Sequence, residues 1–344
     1  MAEHGQPDPR PLRVSRAEAR HEAGSIEVAL ATYNSERFLP KLLDSLFAQT
    51  NQDFTLIVAD DGSVDATTEI LEKYSREHPG RIRIVAVGRQ TQGPAGNFGR
   101  LLDEATADYV LLCDHDDVWL PNKISVSLER MMELEAVHPP KTPLLVHTDL
   151  TIVDADLELI YPSFFGFSNA RPKQNHILRL LMSNVASGCT MIVNRALYER
   201  ARPIPPDAIM HDHWLALVAS ALGAIGCIDE PTILYRLHSG NVIGVRSPRA
   251  ASALERVGQT LLSDNRYRVM MLYSRQAAAL LARFGDEMRG AERLATETLA
   301  NIDKTSRWQR FVQLRRSGLG LRGFVRNAAL LIAVTRGSAS ERKQ

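Results

Sequence analysis

The chain has 344 residues, with 41 Lys and Arg against 40 Asp and Glu, so its formal net charge is +1. This length allows one large α/β domain with an appendage, or two domains. A charge balance so close to neutral predicts no nucleic-acid partner. No apolar run reaches the roughly 18 residues of a membrane span. Residues 1–24 are polar without the apolar core of a signal peptide. We therefore expect a flexible N-terminal tail and a cytoplasmic protein.

Ordered sequence is predicted to begin near Ile26 and to alternate strands with helices. Short apolar runs predict strands at 28–31, 54–59, 82–87 and 109–113, with helical spacing of apolar residues between them. This alternation predicts a mostly parallel sheet with helices on both faces. In such sheets, ligands bind outside the carboxyl ends of the strands.

The second half of the chain shows a more mixed pattern. Helices are predicted after Pro121 and over 212–222, and strands over 144–146, 190–193, 225–228 and 232–237. From residue 250 onward the pattern is helical. We therefore predict a main domain over 25–248 and a helical C-terminal extension over 249–344.

An acidic run, 114–117, follows the fourth predicted strand. Three carboxylates beside a buried strand repel one another and lose hydration, which costs free energy unless a positive charge compensates. A divalent cation with oxygen ligands would supply that charge. A solvated turn with a helix N-cap needs only one Asp, and Asp117 is assigned either to capping the following helix or to supporting the loop.

Polar residues also follow the first and second predicted strands. The pair Asp60-Asp61 either accepts hydrogen bonds from a nucleotide base or ribose, or caps a turn. Tyr33 either stacks on a base or lies in the core. No Gly-x-Gly-x-x-Gly motif follows the first strand and no Walker A motif is present, which argues against a nicotinamide site or a P-loop.

Two later segments offer further chemistry. Asp212 at a helix start beside Trp214 is a candidate general base, with an N-cap as the alternative. His211 and His213 are two residues apart and do not share a helix face, so we do not expect them to bind a metal together. His238 follows a strand and could complete a metal site begun by Asp114 and Asp116.

Taken together, these motifs resemble the inverting family 2 glycosyltransferases of the GT-A fold. The matching segments, in order, are 32–34, 60–63, 114–116, 187–189 and 211–212. Segments 114–123, 211–214 and 235–244 are similar to the bacterial branch that includes polysaccharide rhamnosyltransferases. The resemblance covers roughly residues 25–245.

The resemblance implies a donor in which the sugar is linked to dTDP or UDP, for example dTDP-rhamnose. It also implies a Mg²⁺ or Mn²⁺ ion. It implies a glycan or lipid-linked acceptor in cell-surface polysaccharide synthesis, and inversion at the sugar. It assigns Asp212 as the base and these metal ligands: Asp114, Asp116 and His238. The implied nucleotide-sugar contacts are Thr32, Tyr33, Asn34, Asp60, Asp61, Asn97, Asp114 and Arg236. The implied sugar or acceptor pocket comprises Ser187, Gly188, His211 and Trp214. Relatives often carry Gln in place of His115 and an aromatic residue in place of His213.

Basic and apolar residues are interleaved between Lys304 and Arg336. This pattern suits contact with an anionic membrane at the inner face of the cell membrane, and equally a packed helix with a solvated basic face. Two other functions compete with sugar transfer. The segment 114–118 also resembles the first motif of haloacid dehalogenase-like phosphatases, although no convincing second acidic motif follows, and a non-catalytic nucleotide-sugar-binding protein is the third possibility.

Overall fold

A computed structural model of the protein describes residues 24–87, 92–168, 176–238 and 265–305, together with 309, 312–313 and 319. The strands within these residues are β1 (Ile26–Thr32), β2 (Thr55–Asp60), β3 (Ile82–Val87), β4 (Tyr109–Asp114), β5 (Val118–Trp119), β6 (Leu144–Val153), β7 (Leu159–Tyr161), β8 (Met191–Asn194) and β9 (Ala224–Arg236). The α-helices are α1 (Leu39–Phe47), α2 (Thr67–Glu77), α3 (Gly93–Glu104), α4 (Lys123–Val137), α5 (Phe164–Ser168), α6 (Ile177–Leu180), α7 (Arg195–Ala201), α8 (His211–Leu222), α9 (Asn265–Phe284) and α10 (Gly290–Ala300).

The described strands form one sheet in the order β3-β2-β1-β4-β8-β6-β9-β5, with β7 paired to β6. β1 runs parallel to both β2 and β4, and β2 runs parallel to β3. β8 is antiparallel to both β4 and β6, so the sheet changes direction at its centre. The predicted α/β architecture is confirmed, with a parallel first half and a mixed second half.

Strand β1 shows why the core has two layers. Every residue of β1 is buried, and successive side chains point to opposite faces of the sheet. Val28 and Leu30 pack in one apolar cluster with Leu42 of α1. Ala29 and Ala31 pack in the other cluster with Phe98 of α3. A strand that is buried on both faces has a nearly continuous run of apolar residues, and the sequence of β1 contains such a run.

The register of the parallel strands brings the polar clusters to one edge. Thr32 pairs with Asp60 across β1 and β2, and Ala31 pairs with Asp114 across β1 and β4. The residues that follow these positions therefore leave the sheet side by side. This is the carboxyl edge at which the sequence predicts ligand binding.

The two strands predicted over 225–228 and 232–237 are one strand, β9. Pro231 lies inside it, where proline cannot donate a ladder hydrogen bond. The pairing of β9 with β6 is irregular at this point, since its register shifts on both sides of Asp149, the partner of Pro231. The irregularity accommodates the proline without ending the strand.

The described part of the C-terminal extension packs on the main domain. Leu280 and Phe284 of α9 are buried in the same cluster as Trp214 of α8. Arg283 donates hydrogen bonds to the carbonyls of Ala201 and Pro203. Among the described helices, none is both long and apolar enough to cross a membrane. The predicted boundary at 248 and most of the basic segment after residue 305 lie outside the described residues.

Candidate functional site

A cavity of about 1010 Å³ opens at the carboxyl edge of β1 and β4. Most of the predicted site residues line it together, although they come from distant parts of the chain: Thr32, Tyr33, Asn34, Asp61, Asn97, Asp114, Asp116, Ser187, Gly188, His211, Asp212 and His238. Three other predicted site residues are described but do not line the cavity: Asp60, Trp214 and Arg236. The cavity thus unites segments separated by up to about 200 residues of sequence.

The residues that follow β1 form a loop that faces the cavity. Tyr33 is 46% exposed, so its ring lies outside the core and can stack on a flat ligand. Asn34 adopts a left-handed conformation with φ of 47°, which Asn tolerates better than most residues. Its backbone N–H donates to Ser63, and its side-chain oxygen accepts from the N–H of Val64. These bonds tie the first loop to the second.

Asp60 and Asp61 have different surroundings although they are adjacent. Asp60 is buried, and its carboxylate accepts hydrogen bonds from the hydroxyl of Thr32 and from the N–H groups of Gly62 and Ser63. Gly62 has φ of 87°, a conformation that glycine adopts without strain. Asp60 therefore builds the turn, which is the structural alternative considered for this pair, rather than a wall of the cavity.

Asp61 lines the cavity and lies at the N-terminus of α3. It accepts hydrogen bonds from the N–H groups of Gln92 and Gly93 and forms an ion pair with Arg100 at 3.1 Å. Helix N-termini stabilise negative charge, so these contacts hold the carboxylate in one position. Arg100 was not singled out by the sequence, where it is one of many basic residues on helices. Asn97, on the same helix, donates to the carbonyl of Ala59.

The acidic loop after β4 concentrates negative charge at the centre of the cavity. Burial and, to a smaller extent, the neighbouring carboxylates of Asp116 and Asp212 together raise the pKa of Asp114 to about 8. A raised carboxyl pKa means that the site favours added positive charge. His238 Nε2 lies 2.9 Å from Asp116 Oδ2, so the two residues form one pair beside Asp114.

Arg236 supports this loop from outside the cavity. Its side chain donates to the backbone carbonyls of Asp116 and Ala155, at 2.8 and 2.7 Å, and its guanidinium lies 4.6 Å from the ring centre of Phe38. The planar guanidinium thus donates hydrogen bonds to two backbone carbonyl groups. The structure therefore gives Arg236 a supporting position and does not bring it to the cavity.

Asp117 lies below the loop in a buried polar cluster. Its Oδ1 accepts from the backbone N–H of Arg236, and the thiol of Cys189 also bonds to the carboxylate. Lys123 is fully buried nearby, 4.7 Å from the ring centre of Trp119, and burial lowers its pKa to about 8. Asn122, not Asp117, is the N-cap residue of α4. Asp117 therefore supports the loop, the second of its two predicted roles.

The donor atoms of the acidic loop fit a hard divalent cation. Carboxylate oxygens are the ligands that Mg²⁺ and Mn²⁺ prefer, and an imidazole such as His238 suits transition metals. Atoms of Asp114, Asp117 and Cys189 also lie within 4.8 Å of one another. Burial raises the pKa of Cys189 well above its ordinary value, so it remains a thiol that donates to Asp117. Asp116 and His238 offer oxygens and a ring nitrogen beside Asp114, but these three residues do not form a group of that closeness among the described residues.

Asp212, the second residue of α8, lines the same cavity close enough to Asp114 to affect its pKa. Its carboxylate accepts from the N–H of His213 at 2.6 Å and from the N–H of Gly188 at 3.1 Å. Burial raises the pKa of Asp212 to about 6, although these hydrogen bonds and one from Asn184 oppose the shift. A Cβ at position 188 would lie 3.0 Å from His211 Nε2, so any other residue there would crowd the imidazole. A carboxylate titrating near neutrality suits general-base catalysis.

His211 is the least satisfied polar side chain of the cavity wall. It is 4% exposed and stacks on Phe98, with ring centres 3.9 Å apart. Neither ring nitrogen has a hydrogen-bond partner among the described atoms. Burial lowers its pKa to about 3, so the ring is neutral and offers one donor and one acceptor. An unsatisfied buried polar group costs about 1–3 kcal/mol.

The remaining wall contains Asn184, which the sequence did not identify, and part of the aromatic segment 161–167, which the sequence assigns either to an acceptor groove or to the core. Asn184 bonds to Asp212 from a segment without periodic pattern. Phe164 and Phe167 line the cavity, so the aromatic segment contributes to the site. Buried Asp149 holds that segment, because it accepts from the N–H of Phe165. The structure places Trp214 in the core, where its indole N–H donates to the carbonyl of Ala201.

Comparisons with known proteins are consistent with this geometry. The family model described as glycosyl transferase family 2 matches residues 27–140. The putative teichuronic acid biosynthesis glycosyltransferase TuaG of Bacillus subtilis is 31% identical over 220 residues, 63% of this chain and 81% of that protein. The dTDP-rhamnosyl transferase RfbG of Shigella flexneri is 27% identical over 228 residues, 62% of this chain and 73% of that protein.

The fold also resembles a solved structure, S. aureus TarS 1-349 in complex with UDP-GlcNAc. It has a TM-score of 0.53 and 17% identity, covering 90% of both chains. This likeness concerns the fold. The chain spans about two thirds of the length of most of the first curated relatives it matches, for example 66% of an uncharacterized glycosyltransferase from Nostoc sp..

Proposed function

This chain belongs to glycosyl transferase family 2, and from that membership we propose that it transfers a sugar from a nucleotide-diphosphate donor to a hydroxyl group, with inversion. The acceptor is a glycan or a lipid-linked glycan in cell-surface polysaccharide synthesis. One observation carries the proposal: Asp61, the acidic loop and Asp212 line a single cavity. A residue for nucleotide binding, a group of carboxylates that favours a cation, and a candidate general base therefore line the same cavity.

The nucleotide is proposed to bind beside Tyr33 and Asp61. Tyr33 offers an exposed ring for a base, and Asp61 is held at the cavity wall by Arg100 and the start of α3. Asn97 adds a buried carbonyl oxygen that has no partner among the described atoms. Thymine and uracil each carry a ring N–H that can donate a hydrogen bond to such an oxygen. We therefore propose dTDP or UDP as the nucleotide, and dTDP-rhamnose is one donor that fits.

Asp114, Asp116 and His238 would hold a Mg²⁺ or Mn²⁺ ion next to the diphosphate. When bound, such a cation acts as a Lewis acid that stabilises the negative charge of a leaving nucleotide diphosphate. The chain itself contributes the fixed geometry of the loop. Arg236 and Asp117 hold the backbone of that loop from beneath, so the carboxylates do not have to reorganise when a ligand arrives.

Asp212 is proposed as the general base. It accepts the proton of the acceptor hydroxyl while that oxygen attacks the anomeric carbon, and the bond from this carbon to the diphosphate oxygen breaks. The nucleotide diphosphate leaves with the bonding electrons. Since attack and departure occur on opposite faces, one displacement inverts the anomeric configuration. The pKa of about 6 keeps Asp212 ionised at neutral pH while leaving it basic enough to accept a proton.

The sugar and acceptor are proposed to occupy the space among Ser187, Gly188 and His211. The neutral imidazole of His211 can bond to a sugar hydroxyl, and Phe164 and Phe167 provide apolar wall for a sugar face. Relatives named for rhamnosyl transfer and teichuronic acid synthesis support a cell-surface glycan as the product.

A direct test follows donor turnover by ¹H NMR. The full chain is incubated with UDP-glucose or dTDP-rhamnose, Mn²⁺ and a panel of lipid-linked or free glycans. We expect nucleotide-diphosphate release and a new glycosidic signal of inverted configuration. Hydrolysis of phosphate monoesters such as p-nitrophenyl phosphate, without sugar transfer, would instead favour the phosphatase alternative.

A lipid-linked acceptor also motivates the proposal of peripheral membrane contact by the basic segment that begins near Lys304. Liposome sedimentation of the full chain, with anionic and with zwitterionic lipid, tests this. We expect binding to anionic vesicles only, and weaker binding by Arg315→Gln/Arg316→Gln. Equal sedimentation of the two proteins would remove the membrane proposal and leave the transfer proposal intact.

A further inference from the structure

The C-terminal helix α9 reaches the helix that carries Asp212 through one buried glutamine. Gln276 is 1% exposed, and its side chain spans two elements of the main domain. Its Oε1 accepts a hydrogen bond from the N–H of Ile209, at 2.8 Å, in the loop before α8. Its Nε2 lies 3.3 Å from Nδ1 of His213, which follows Asp212. The other ring nitrogen of His213 lies 2.6 Å from the carbonyl oxygen of Leu180.

These contacts permit only one arrangement of hydrogens. The N–H of Ile209 can only donate, so the oxygen of Gln276 accepts and its amide nitrogen faces His213. That nitrogen donates, so Nδ1 of His213 must be the acceptor. The proton of the neutral ring is then on Nε2, where it donates to the carbonyl of Leu180. We call this directed chain from Ile209 through Gln276 and His213 to Leu180 the Gln276 relay.

The relay contacts the two segments that supply hydrogen bonds to the Asp212 carboxylate. One support is the N–H of His213, which donates to Oδ1 of Asp212 at 2.6 Å. The other is the N–H of Gly188, which donates to Oδ2 and lies on the segment that follows Leu180. His213 is 3% exposed, so its ring cannot turn to water for replacement bonds. Losing the relay would free the ring of His213 and the segment that it holds.

We propose that Gln276 is a positioning residue for Asp212, so that the C-terminal extension takes part in setting the geometry of sugar transfer. This inference rests on the proposed role of Asp212 as the base. It also gives a function to His213, whose imidazole receives a bond on one side and donates one on the other. An aromatic side chain without two ring nitrogens could not make both bonds.

Steady-state kinetics of Gln276→Leu test the proposal, with Ser274→Ala as the matched control. Ser274 is a buried residue of the same helix, and its hydroxyl donates to Ala300 of α10, away from Asp212. We expect Gln276→Leu to lower kcat about 10- to 100-fold, the range for a misplaced catalytic group, with nucleotide affinity unchanged. Ser274→Ala should keep wild-type kcat. Equal kcat in the two variants would overturn the positioning role.

A double-mutant cycle with His213→Phe measures whether the two residues act as one unit. When His213 is replaced, Gln276 has no acceptor to hold, so the double variant should be about as slow as the slower single variant. Multiplicative losses of kcat would show independent residues and contradict the relay.

The tautomer of His213 provides a readout that needs no active variant. In ¹⁵N NMR of histidine-labelled full chain, the resonance lost in His213→Phe should show a neutral ring protonated at Nε2. A ring protonated at Nδ1, or an imidazolium at pH 7, would overturn the relay. Near-normal turnover by Asp212→Asn would instead overturn the proposed base, whatever the tautomer of His213, so the two failures are distinguishable.

Discussion

Replacement of Asp212 by Asn is the perturbation whose outcome the structure specifies most fully. With a pKa of about 6, roughly nine tenths of Asp212 is ionised at pH 7. We expect wild-type kcat to rise with pH and to be half-maximal near pH 6. Asn cannot accept a proton, so kcat should fall about 10²- to 10⁴-fold, the usual contribution of a general base. Each factor of ten corresponds to about 1.4 kcal/mol of activation free energy.

The same substitution should leave the free energy of unfolding nearly unchanged, because two effects on it oppose each other. The folded-state pKa of Asp212 lies above its model value of 3.8, so its stabilising contribution is lost as pH rises from about 4 to 6. At pH 7 this costs at most about 3 kcal/mol, which Asn avoids. Asn, however, can accept only one of the two hydrogen bonds from Gly188 and His213, a loss of about 1–3 kcal/mol.

Steady-state transfer assays from pH 5 to 8 and chemical denaturation provide the measurements. Asp207→Asn is the matched control, since Asp207 is exposed in the loop that precedes α8 and does not line the cavity. It should keep the wild-type rate and pH profile. If Asp212→Asn stays within about threefold of wild-type kcat, or if wild-type kcat does not change between pH 5 and 7, the assignment of the base is refuted.

Three further substitutions give expected outcomes at other points of the site. His211→Phe keeps the stacking on Phe98 and removes two unpaired buried nitrogens, so the free energy of unfolding should rise by about 1–3 kcal/mol while transfer slows. Asp116→Asn should abolish any Mn²⁺-dependent gain in nucleotide affinity measured by calorimetry, and keep the metal-free affinity. Lys123→Met tests the buried cation by denaturation at several pH values. The folded pKa of Lys123, about 8, lies below its model value of 10.5, so its contribution to stability grows as pH rises and is lost as pH falls toward 8. The wild-type advantage over the variant should therefore increase by about 2 kcal/mol between pH 7.5 and 9.5.

Each of these outcomes has a contrary result. A His211→Phe protein that is less stable than wild type would show that the ring nitrogens have structural partners. Unchanged metal dependence in Asp116→Asn would exclude Asp116 as a ligand. A constant stability difference between wild type and Lys123→Met over this pH range would show that Lys123 titrates at its ordinary pKa in the folded protein.

The sequence predicts the sheet edge well because simple periodicity determines it. The alternation of apolar strands with helices implies parallel strands, and their polar ends must then meet at one edge. That argument brings Asp61 and Asp114 together before any coordinates are known. Asp212 is found in the same way, from a carboxylate at a helix start. The comparisons confirm the family that these motifs resemble.

Other features depend on contacts that no local pattern encodes. Asp60 and Asp61 are chemically identical neighbours, and only the turn made by Gly62 shows that one builds the loop while the other faces the cavity. Arg100 is indistinguishable in sequence from any exposed helical arginine. Gln276 lies about 60 residues from His213 in sequence. Hydrophobic periodicity predicts the helix that carries Gln276, but not where that helix packs. Docking depends on tertiary packing rather than on intrinsic helix propensity.

The central claim is that one cavity binds a nucleotide diphosphate with the help of a cation at the acidic loop. Thermal unfolding of the full chain with UDP, dTDP, GDP and CDP, each with and without Mn²⁺, tests it most directly. A ligand that binds the folded state raises the free energy of unfolding by RT ln(1 + [L]/Kd). We predict that UDP or dTDP raises the midpoint temperature with Mn²⁺ and much less without it, and that Asp116→Asn loses this dependence. No metal-dependent shift with any of the four nucleotides would contradict the account.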